Sequence, residues 1–156
     1  MIDEHLKGEG GLIKKITLYL KMIKFSHSIF ALPFAFTAAL MAASGMPSLR
    51  QILWIVVAMV SARSGAMGLN RIIDIKIDAA NPRTANRELP SGKIKTSSAI
   101  LFTVISFVVL ILSAYMLNPL CLKLSPLAIA VLFIYSYTKR FTWLSHIILG
   151  IAISAA

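Results

Sequence analysis

Acidic residues and cysteine are scarce in this chain, and each shortage excludes a class of function. Six Asp and Glu stand against sixteen Lys and Arg, and no acidic residue follows Glu88. The single cysteine, Cys121, allows neither an internal disulfide nor a thiolate metal cluster. The net charge of +10 would suit nucleic acid, but the basic residues form no aromatic-interleaved patch. We therefore expect lipid headgroups and phosphorylated substrates as anionic partners, and no nucleic acid.

Apolar residues dominate the composition of this chain. The 156 residues are 58% hydrophobic and 14% charged, with a mean hydropathy of +0.80, which is too apolar for a soluble domain of this length. This composition predicts an all-α, multi-pass transmembrane bundle. The apolar runs predict about four complete spans and the start of a fifth, at 22–43, 51–69, 98–117, 120–137 and from 143 onward.

The two ends of the chain differ from the apolar runs. Residues 1–20 form a polar, basic tail in which we expect only an amphipathic turn or two, and 21–156 form the membrane domain. The fifth run has 14 residues, whereas a span needs about 20. We therefore expect the membrane domain to be truncated at its C-terminus and the chain to be part of a longer protein.

Loop charge predicts the orientation, because Lys and Arg are retained on the cytoplasmic side of short loops. One side of the predicted bundle carries most of them: Lys7, Lys14, Lys15, Lys21, Lys24, Arg71, Lys76, Arg83, Arg87, Lys93, Lys95, Lys139 and Arg140. The other side has Arg50 and Lys123. The N-terminus is therefore predicted to face the cytoplasm, in an inner membrane.

Asn70, Asp74 and Asp78 follow the second apolar run at a spacing of four residues. On one α-helix this spacing advances by only about 40° per step, so the three side chains would form a stripe on one face. Such oxygen ligands can hold a divalent cation and leave coordination positions for substrate phosphates. The stripe predicts chemistry on a diphosphate at a membrane surface.

The segment 81–93 carries Arg83 and Arg87 directly after the stripe. Pro82 is expected to end the helix just before it, and a turn is expected at 90–92. Arginine's planar fork suits phosphate oxygens, so the segment predicts a diphosphate cradle beside the carboxylates. A loop that only sets membrane topology is an equally weighted alternative for these arginines.

Arg63 lies in the second apolar run, seven residues before Asn70 and on the same predicted helix face. An arginine near mid-bilayer costs roughly 2.5 to 3.5 kcal/mol on insertion scales, so it should face a polar cavity or a partner. We expect it to bind the diphosphate or the carboxylate of an aromatic acid, in preference to snorkelling. The nearby Gly65 and Gly68 are expected to allow close helix packing.

Three motifs belong together: the stripe at 70–78, the run Asn-Pro-Arg-Thr-Ala-Asn-Arg-Glu-Leu-Pro-Ser-Gly at 81–92, and Tyr-Ser-Tyr-Thr-Lys-Arg at 135–140. They resemble the UbiA superfamily of intramembrane aromatic prenyltransferases. Within it the sequence is most similar to bacterial quinone-pathway enzymes that act on 4-hydroxybenzoate. The run Phe-Ser-His-Ser-Ile-Phe-Ala-Leu-Pro-Phe at 25–34 fits that subgroup too.

The resemblance implies a helical bundle with an active-site cavity on its cytoplasmic side, where Mg²⁺ holds the diphosphate of a polyprenyl donor. It implies transfer of the polyprenyl group to an aromatic acid in ubiquinone or menaquinone biosynthesis. The superfamily's second Asp-rich motif has no counterpart here, because no acidic residue follows Glu88. We therefore expect these 156 residues to be inactive alone.

The resemblance and the loop chemistry give one set of candidate residues. The metal ligands are Asn70, Asp74 and Asp78; the catalytic residues are Asp74, Asp78 and Arg140; the substrate-binding residues are Arg63, Asn70, Arg71, Arg83, Arg87 and Lys139. For Lys139 and Arg140 the resemblance implies a place near the site.

Three other classes are weighed against the prenyltransferase. A CDP-alcohol phosphatidyltransferase also uses aspartates on membrane helices, but its Asp-Gly-x-x-Ala-Arg opening is missing. A transporter would be recognised by discontinuous helices or an internal repeat, neither of which is evident. A noncatalytic membrane protein would tolerate the loss of Asp74 and Asp78. Transporter and noncatalytic protein stay open as alternatives.

Overall fold

The computed structural model describes residues 2–43 and 45–138, and these residues form helices and no strand. The helices are α1 (Ile2–Met22), α2 (Ser26–Ile29), α3 (Leu32–Ala43), α4 (Leu49–Ile73), α5 (Ile75–Ala80), α6 (Thr96–Leu117) and α7 (Pro119–Thr138). Among them α4, α6 and α7 are long and apolar enough to cross a membrane, and α3 is a shorter apolar helix. The predicted all-helical, multi-pass membrane fold is confirmed. The fifth span predicted from Trp143 lies outside the described residues.

Local sequence signals mark the start of α4 and the junction between α6 and α7. Ser48 and Gln51 form a capping box at the start of α4: Ser48 Oγ accepts from the Gln51 amide at 3.3 Å, and Gln51 Oε1 accepts from the Ser48 amide at 2.8 Å. Asn118 separates α6 from α7, and its Oδ1 accepts from the Cys121 amide at 2.7 Å. This single-residue connection makes α6 and α7 a tight helical hairpin.

The first predicted span, 22–43, differs in the structure. It is divided into the short α2 and the 12-residue α3, whose length of about 18 Å is less than the roughly 30 Å of a hydrocarbon core. Pro33 supplies the physical reason, because it has no N–H to donate to the carbonyl of Ile29. As a residue of the first turn of α3, Pro33 is instead well placed to start a helix.

The N-terminal tail is more ordered than the sequence predicts. A helix of 21 residues, α1, replaces the expected turn or two and continues through Gly11. Its end joins the buried core, where Met22 and Ile23 pack with Leu89, Ile94 and Ala99. Burial of these apolar side chains joins α1 to the loop after α5 and to the start of α6.

The largest helix contact joins α4 to α6 at two glycines of α4. A Cβ placed on Gly65 would lie 2.6 Å from Cε1 of Phe107, and one placed on Gly68 would overlap Oγ1 of Thr103. Side chains of α6 therefore pack directly on the backbone of α4 at these two positions, which agrees with the packing role predicted for these glycines. This contact holds the end of α4 that bears the stripe.

Candidate functional site

The stripe begins on α4 and ends on α5, with Asp74 at the boundary. Asp74 has φ −85° and ψ 2°, outside the helical region, so the expected single helix is interrupted there. Helical spacing nevertheless continues across the break: the Asp74 amide donates to the Asn70 carbonyl at 3.0 Å, and the Asp78 amide donates to the Asp74 carbonyl at 2.8 Å. The three stripe residues therefore stay one turn apart along the chain.

Asp78 is the most buried residue of the stripe, at 6% exposure. Nη1 of Arg87 donates to both of its carboxylate oxygens, at 2.8 and 2.9 Å. Nη1 of Arg71 lies 3.7 Å from Oδ2 of the same carboxylate. One buried carboxylate thus faces two guanidinium groups, an arrangement that offsets the cost of burying its charge.

Arg71 also connects the stripe to α1. Its Nε donates to the carbonyl of Met22 at 3.4 Å, just where α1 ends. That carbonyl belongs to the last turn of the helix, where backbone acceptors lack intrahelical partners and favour a cation. Arg71 therefore lies between the C-terminus of α1 and the carboxylate of Asp78.

The segment 81–93 folds back over the end of α5. As predicted, α5 ends before Pro82, at Ala80. The buried hydroxyl of Thr84 donates to the carbonyl of Asp78 at 2.9 Å, which fixes the start of the segment. The turn expected at 90–92 is present, with Gly92 at φ 72°, a left-handed conformation that glycine adopts readily.

The two arginines of this segment have different positions. Arg87 is half-buried on Asp78, whereas Arg83 is exposed, with its backbone amide bonded to Oδ1 of Asn81 at 3.0 Å. Arg87 and Arg71 are therefore the arginines that lie beside Asp78 in this structure. The diphosphate cradle stays a prediction. A role of Arg83 in binding substrate stays a prediction.

Arg63 lies inside α4, two turns before Asn70. Its Nε is buried and has no hydrogen-bond partner among the described residues. A buried guanidinium donor without an acceptor is costly. That Arg63 faces a polar cavity or a partner stays a prediction.

Comparison with known proteins identifies the fold. A model of the UbiA prenyltransferase family matches residues 31–156. The chain belongs to this family. It is similar to the 4-hydroxybenzoate octaprenyltransferases of Vibrio campbellii (strain ATCC BAA-1116), with 39% identity over 123 residues, and Vibrio atlanticus (strain LGP32), with 37% identity over 117 residues. These matches cover 76% and 75% of this chain, but 42% and 41% of the two relatives.

Solved structures of UbiA proteins agree with the fold. The apo structure of a UbiA homolog from Aeropyrum pernix K1 superposes with a TM-score of 0.76 at 35% identity, covering 83% of this chain and 47% of that one. A structure described as digeranylgeranylglyceryl phosphate synthase superposes with a TM-score of 0.80 at 23% identity, covering 88% and 49%. The chain therefore corresponds to about half of each of these two structures.

The donor set of this UbiA chain fits a divalent cation in part. The described residues contain no group of three or more His, Cys, Asp and Glu suited to a metal. Asn70 and Asp74 are half-buried and carry side-chain oxygens one turn apart, and both oxygens of Asp78 accept from Arg87. Each carboxylate oxygen has a second lone pair, so Asp78 retains capacity for a cation beside the arginine. All three residues of the stripe thus stay candidate ligands.

Some of the site was not foreseen from the sequence. Thr84 and the Met22 carbonyl hold the stripe in place, yet neither was a candidate. The position of Thr84 between two arginines of a conspicuous loop motif was the available signal; nothing in the sequence indicates the carbonyl. Lys139 and Arg140, predicted to lie near the site, are outside the described residues.

Proposed function

We propose that the protein carrying this chain transfers a polyprenyl group from a polyprenyl diphosphate to an aromatic acid of the 4-hydroxybenzoate type, in ubiquinone or menaquinone biosynthesis. The observation that carries the proposal is the polar end of α4: Asn70 and Asp74, with Asp78 between Arg71 and Arg87. Placing ionisable side chains at the end of a membrane helix costs free energy, and such a cluster is therefore typical of a functional site. The UbiA relatives are named for this reaction type.

The donor diphosphate would bind at this cluster. Asn70, Asp74 and Asp78 would hold Mg²⁺, and the cation would neutralise charge that develops on the leaving diphosphate. The guanidinium of Arg87 offers Nε and Nη2 as donors besides the Nη1 that contacts Asp78. Arg71 and the exposed Arg83 would add positive charge around the same oxygens, and Lys139 and Arg140 are proposed to complete the site.

Arg63 is proposed to bind the carboxylate of the aromatic acid or a diphosphate oxygen. Its buried Nε lacks an acceptor among the described residues, and it lies about two turns deeper in α4 than Asn70. An acid held there would present its ring to the prenyl C1 at the stripe. The charge-assisted hydrogen bond would also orient the acid with its phenol hydroxyl away from the arginine.

The prenyl chain would extend along α4 toward an apolar cavity. A cavity of about 440 Å³ opens between α3 and α4, lined in part by Phe36, Ile52 and Val56. Val56, Arg63 and Asn70 are seven residues apart, so they lie close to one face of α4. From Asn70 to Val56 is about 21 Å of helix, so the isoprenoid tail would pass the level of Arg63 before it reaches the apolar cavity.

The reaction then follows from these positions. The C1–O bond of the allylic donor breaks and the diphosphate leaves with the electron pair. The ring carbon ortho to the phenol hydroxyl forms a bond to C1, and the ring loses its proton at that carbon. Apolar helix surfaces around the donor exclude water, which would otherwise capture C1.

Orientation and compartment are part of the proposal. The excess of Lys and Arg around α1, the stripe and the segment 81–93 supports a cytoplasmic position for this end of the bundle in a bacterial inner membrane. We also propose that 1–20 is a cytoplasmic segment and that 21–156 forms part of the membrane domain, which is expected to be inactive without the rest of a UbiA protein.

The test is prenyl transfer by the full-length protein in nanodiscs. It is given an allylic polyprenyl diphosphate, 4-hydroxybenzoate and Mg²⁺, and the prenylated acid is measured by mass spectrometry. We expect product from the wild type and a loss of at least about 100-fold with Asp74→Asn, as for removal of one transition-state contact. Absence of product with every phenolic acid tried would support a transporter or a noncatalytic protein instead. Full activity of Asp74→Asn would contradict the role proposed for Asp74.

A further inference from the structure

A cavity outside the candidate site lies between α1 and the start of α6. It has a volume of about 410 Å³, and three lysines line it: Lys15 from α1, and Lys93 and Lys95 from the segment before α6. Tyr19 and Ser98 add hydroxyl groups to the same walls. We call it the basic cavity.

No acidic residue is among the described residues that line the basic cavity. The ion pairs of Asp78 with Arg71 and Arg87 lie outside it. Lys93 Nζ donates to a backbone carbonyl, that of Asn86, at 3.3 Å. Three exposed lysines thus share one concave site, and an anion bound there would be attracted by all three positive charges.

A second, apolar cavity adjoins the basic cavity. It has a volume of about 450 Å³, shares Lys15 and Tyr19 with the basic cavity, and is lined further by Leu12, Ile16 and Phe102. Phe102 is one turn after Ser98 on α6, so the second cavity lies deeper along that spanning helix. Leu12 and Ile16 are 60% and 50% exposed, as expected of an amphipathic helix that lies against lipid.

The two cavities together have the polarity of one phospholipid. Positive charge lies at the level where α6 enters the membrane, and apolar surface continues along α6 toward the hydrocarbon. We infer that this composite site binds an anionic phospholipid, with its phosphate among Lys15, Lys93 and Lys95 and an acyl chain along Ile16 and Phe102. The binding would dock α1 on the membrane surface beside the candidate active site.

The inference is tested by native mass spectrometry of the full-length protein in detergent, titrated with phosphatidylglycerol. The variant Lys15→Gln/Lys93→Gln/Lys95→Gln is compared with Lys14→Gln/Lys21→Gln/Lys24→Gln, which removes equal charge from exposed lysines that line neither cavity. We expect affinity to fall about 100-fold in the first variant if each lysine contributes as at an anionic membrane surface, and less than about threefold in the second.

Competition distinguishes the sources of the phosphate chemistry. Phosphatidylcholine, glycerol phosphate and inorganic phosphate should each displace phosphatidylglycerol poorly, because each lacks either the net charge or the acyl chain. Equal loss of affinity in the two variants would overturn the inference in favour of general charge attraction. Displacement by inorganic phosphate would assign the cavity to a free anion, and displacement by the allylic diphosphate would assign it to the prenyl donor.

Discussion

Arg87 Nη1 lies 2.8 Å from Oδ1 and 2.9 Å from Oδ2 of Asp78. These two residues are nine positions apart, and the pair closes the segment 81–93 onto α5. Asp78 is 6% exposed, so its charge depends on the arginine for compensation. The same ion pair therefore holds the segment 81–93 against α5 and sets the charge around Asp78 in the candidate site.

Loss of Arg87 should destabilise the protein. Breaking a buried ion pair by removing one partner costs about 3 to 5 kcal/mol, but the Arg87 side chain is 32% exposed and we expect about 2 kcal/mol for Arg87→Ala. Arg87→Lys should recover only part of this, because a single ammonium lacks the planar fork. The measurement is chemical unfolding in detergent.

A matched control for this prediction is Arg83→Ala in the same segment. Arg83 is exposed, so its removal should change the free energy of unfolding by less than about 0.5 kcal/mol. A double-mutant cycle with Asp78→Asn gives the coupling energy of the pair. Additive effects of the two substitutions would mean that the ion pair does not stabilise the fold.

Conversion of Asp74 or Asp78 to Asn should lower turnover. Asp74 is half-buried and serves the proposed diphosphate site, so Asp74→Asn should lower turnover about 100-fold. Asp78→Asn should lower turnover and also the free energy of unfolding, because it removes the carboxylate that pairs with Arg87. Turnover and unfolding are measured on the same full-length preparations.

Glu88→Gln provides the control for the aspartate variants, since Glu88 is a half-buried acid of the neighbouring segment outside the stripe. It should retain turnover within about threefold, the range of a substitution that removes no transition-state contact. An equal loss in all three variants would indicate a general effect of negative charge and would contradict a specific role for Asp74.

The long apolar helices could be predicted from the sequence, and the position of charged side chains could be predicted only in part. Hydrophobic length identified α4, α6 and α7, and Pro82 correctly ended α5, because both signals act within a few residues. The pair of Asp78 with Arg87 depends on how the segment 81–93 turns back. The turn brings Asp78 and Arg87 together, and their separation of nine residues is not a helical spacing from which the contact could be predicted.

Two further differences have local physical causes. The break before α3 was not predicted, because an apolar run of spanning length also accommodates a short helix, a break and a second helix. The extent of α1 was underestimated because Gly8, Gly10 and Gly11 have low intrinsic helix propensity. Packing of Met22 and Ile23 into the core stabilises the end of that helix, and the sequence holds no direct sign of it.

Arg63 should discriminate between acceptors with and without a carboxylate. A charge-assisted hydrogen bond contributes about 1.5 to 3 kcal/mol, so Arg63→Gln should lower kcat/KM for 4-hydroxybenzoate by about 10- to 150-fold. The corresponding amide, 4-hydroxybenzamide, should be affected much less. Steady-state kinetics with both acceptors at saturating donor provide the measurement.

The opposite outcome for Arg63 is also informative. If its substitution raises the KM of the diphosphate donor and affects both acceptors equally, the arginine binds the diphosphate instead. Unchanged kinetics for both substrates would contradict either binding role and would leave Nε as a buried donor with a structural function only. Arg50→Gln, at the opposite end of α4, is the charge-matched control.

Gly68 should be the least replaceable glycine of α4. A methyl group at this position would overlap Oγ1 of Thr103 on α6, and overpacking of this kind costs about 1 to 3 kcal/mol. Gly68→Ala should therefore lower the free energy of unfolding, measured by chemical unfolding in detergent. Because α4 also carries Asn70, a forced separation of α4 and α6 should reduce prenyl transfer as well.

The same substitution at Gly11 should have the opposite sign. Gly11 lies within α1, and a methyl group added there would meet no heavy atom within 4 Å, so Gly11→Ala gains helix propensity of up to about 1 kcal/mol without a clash.

Combining Gly68→Ala with Thr103→Ala removes the overlapping hydroxyl and should recover most of the lost stability. Thr103→Ala alone is the control, because it also removes the bond from the Thr103 hydroxyl to the Ala99 carbonyl. If the double variant is no more stable than Gly68→Ala after that control is taken into account, the overlap with Thr103 is not the cause of the lost stability.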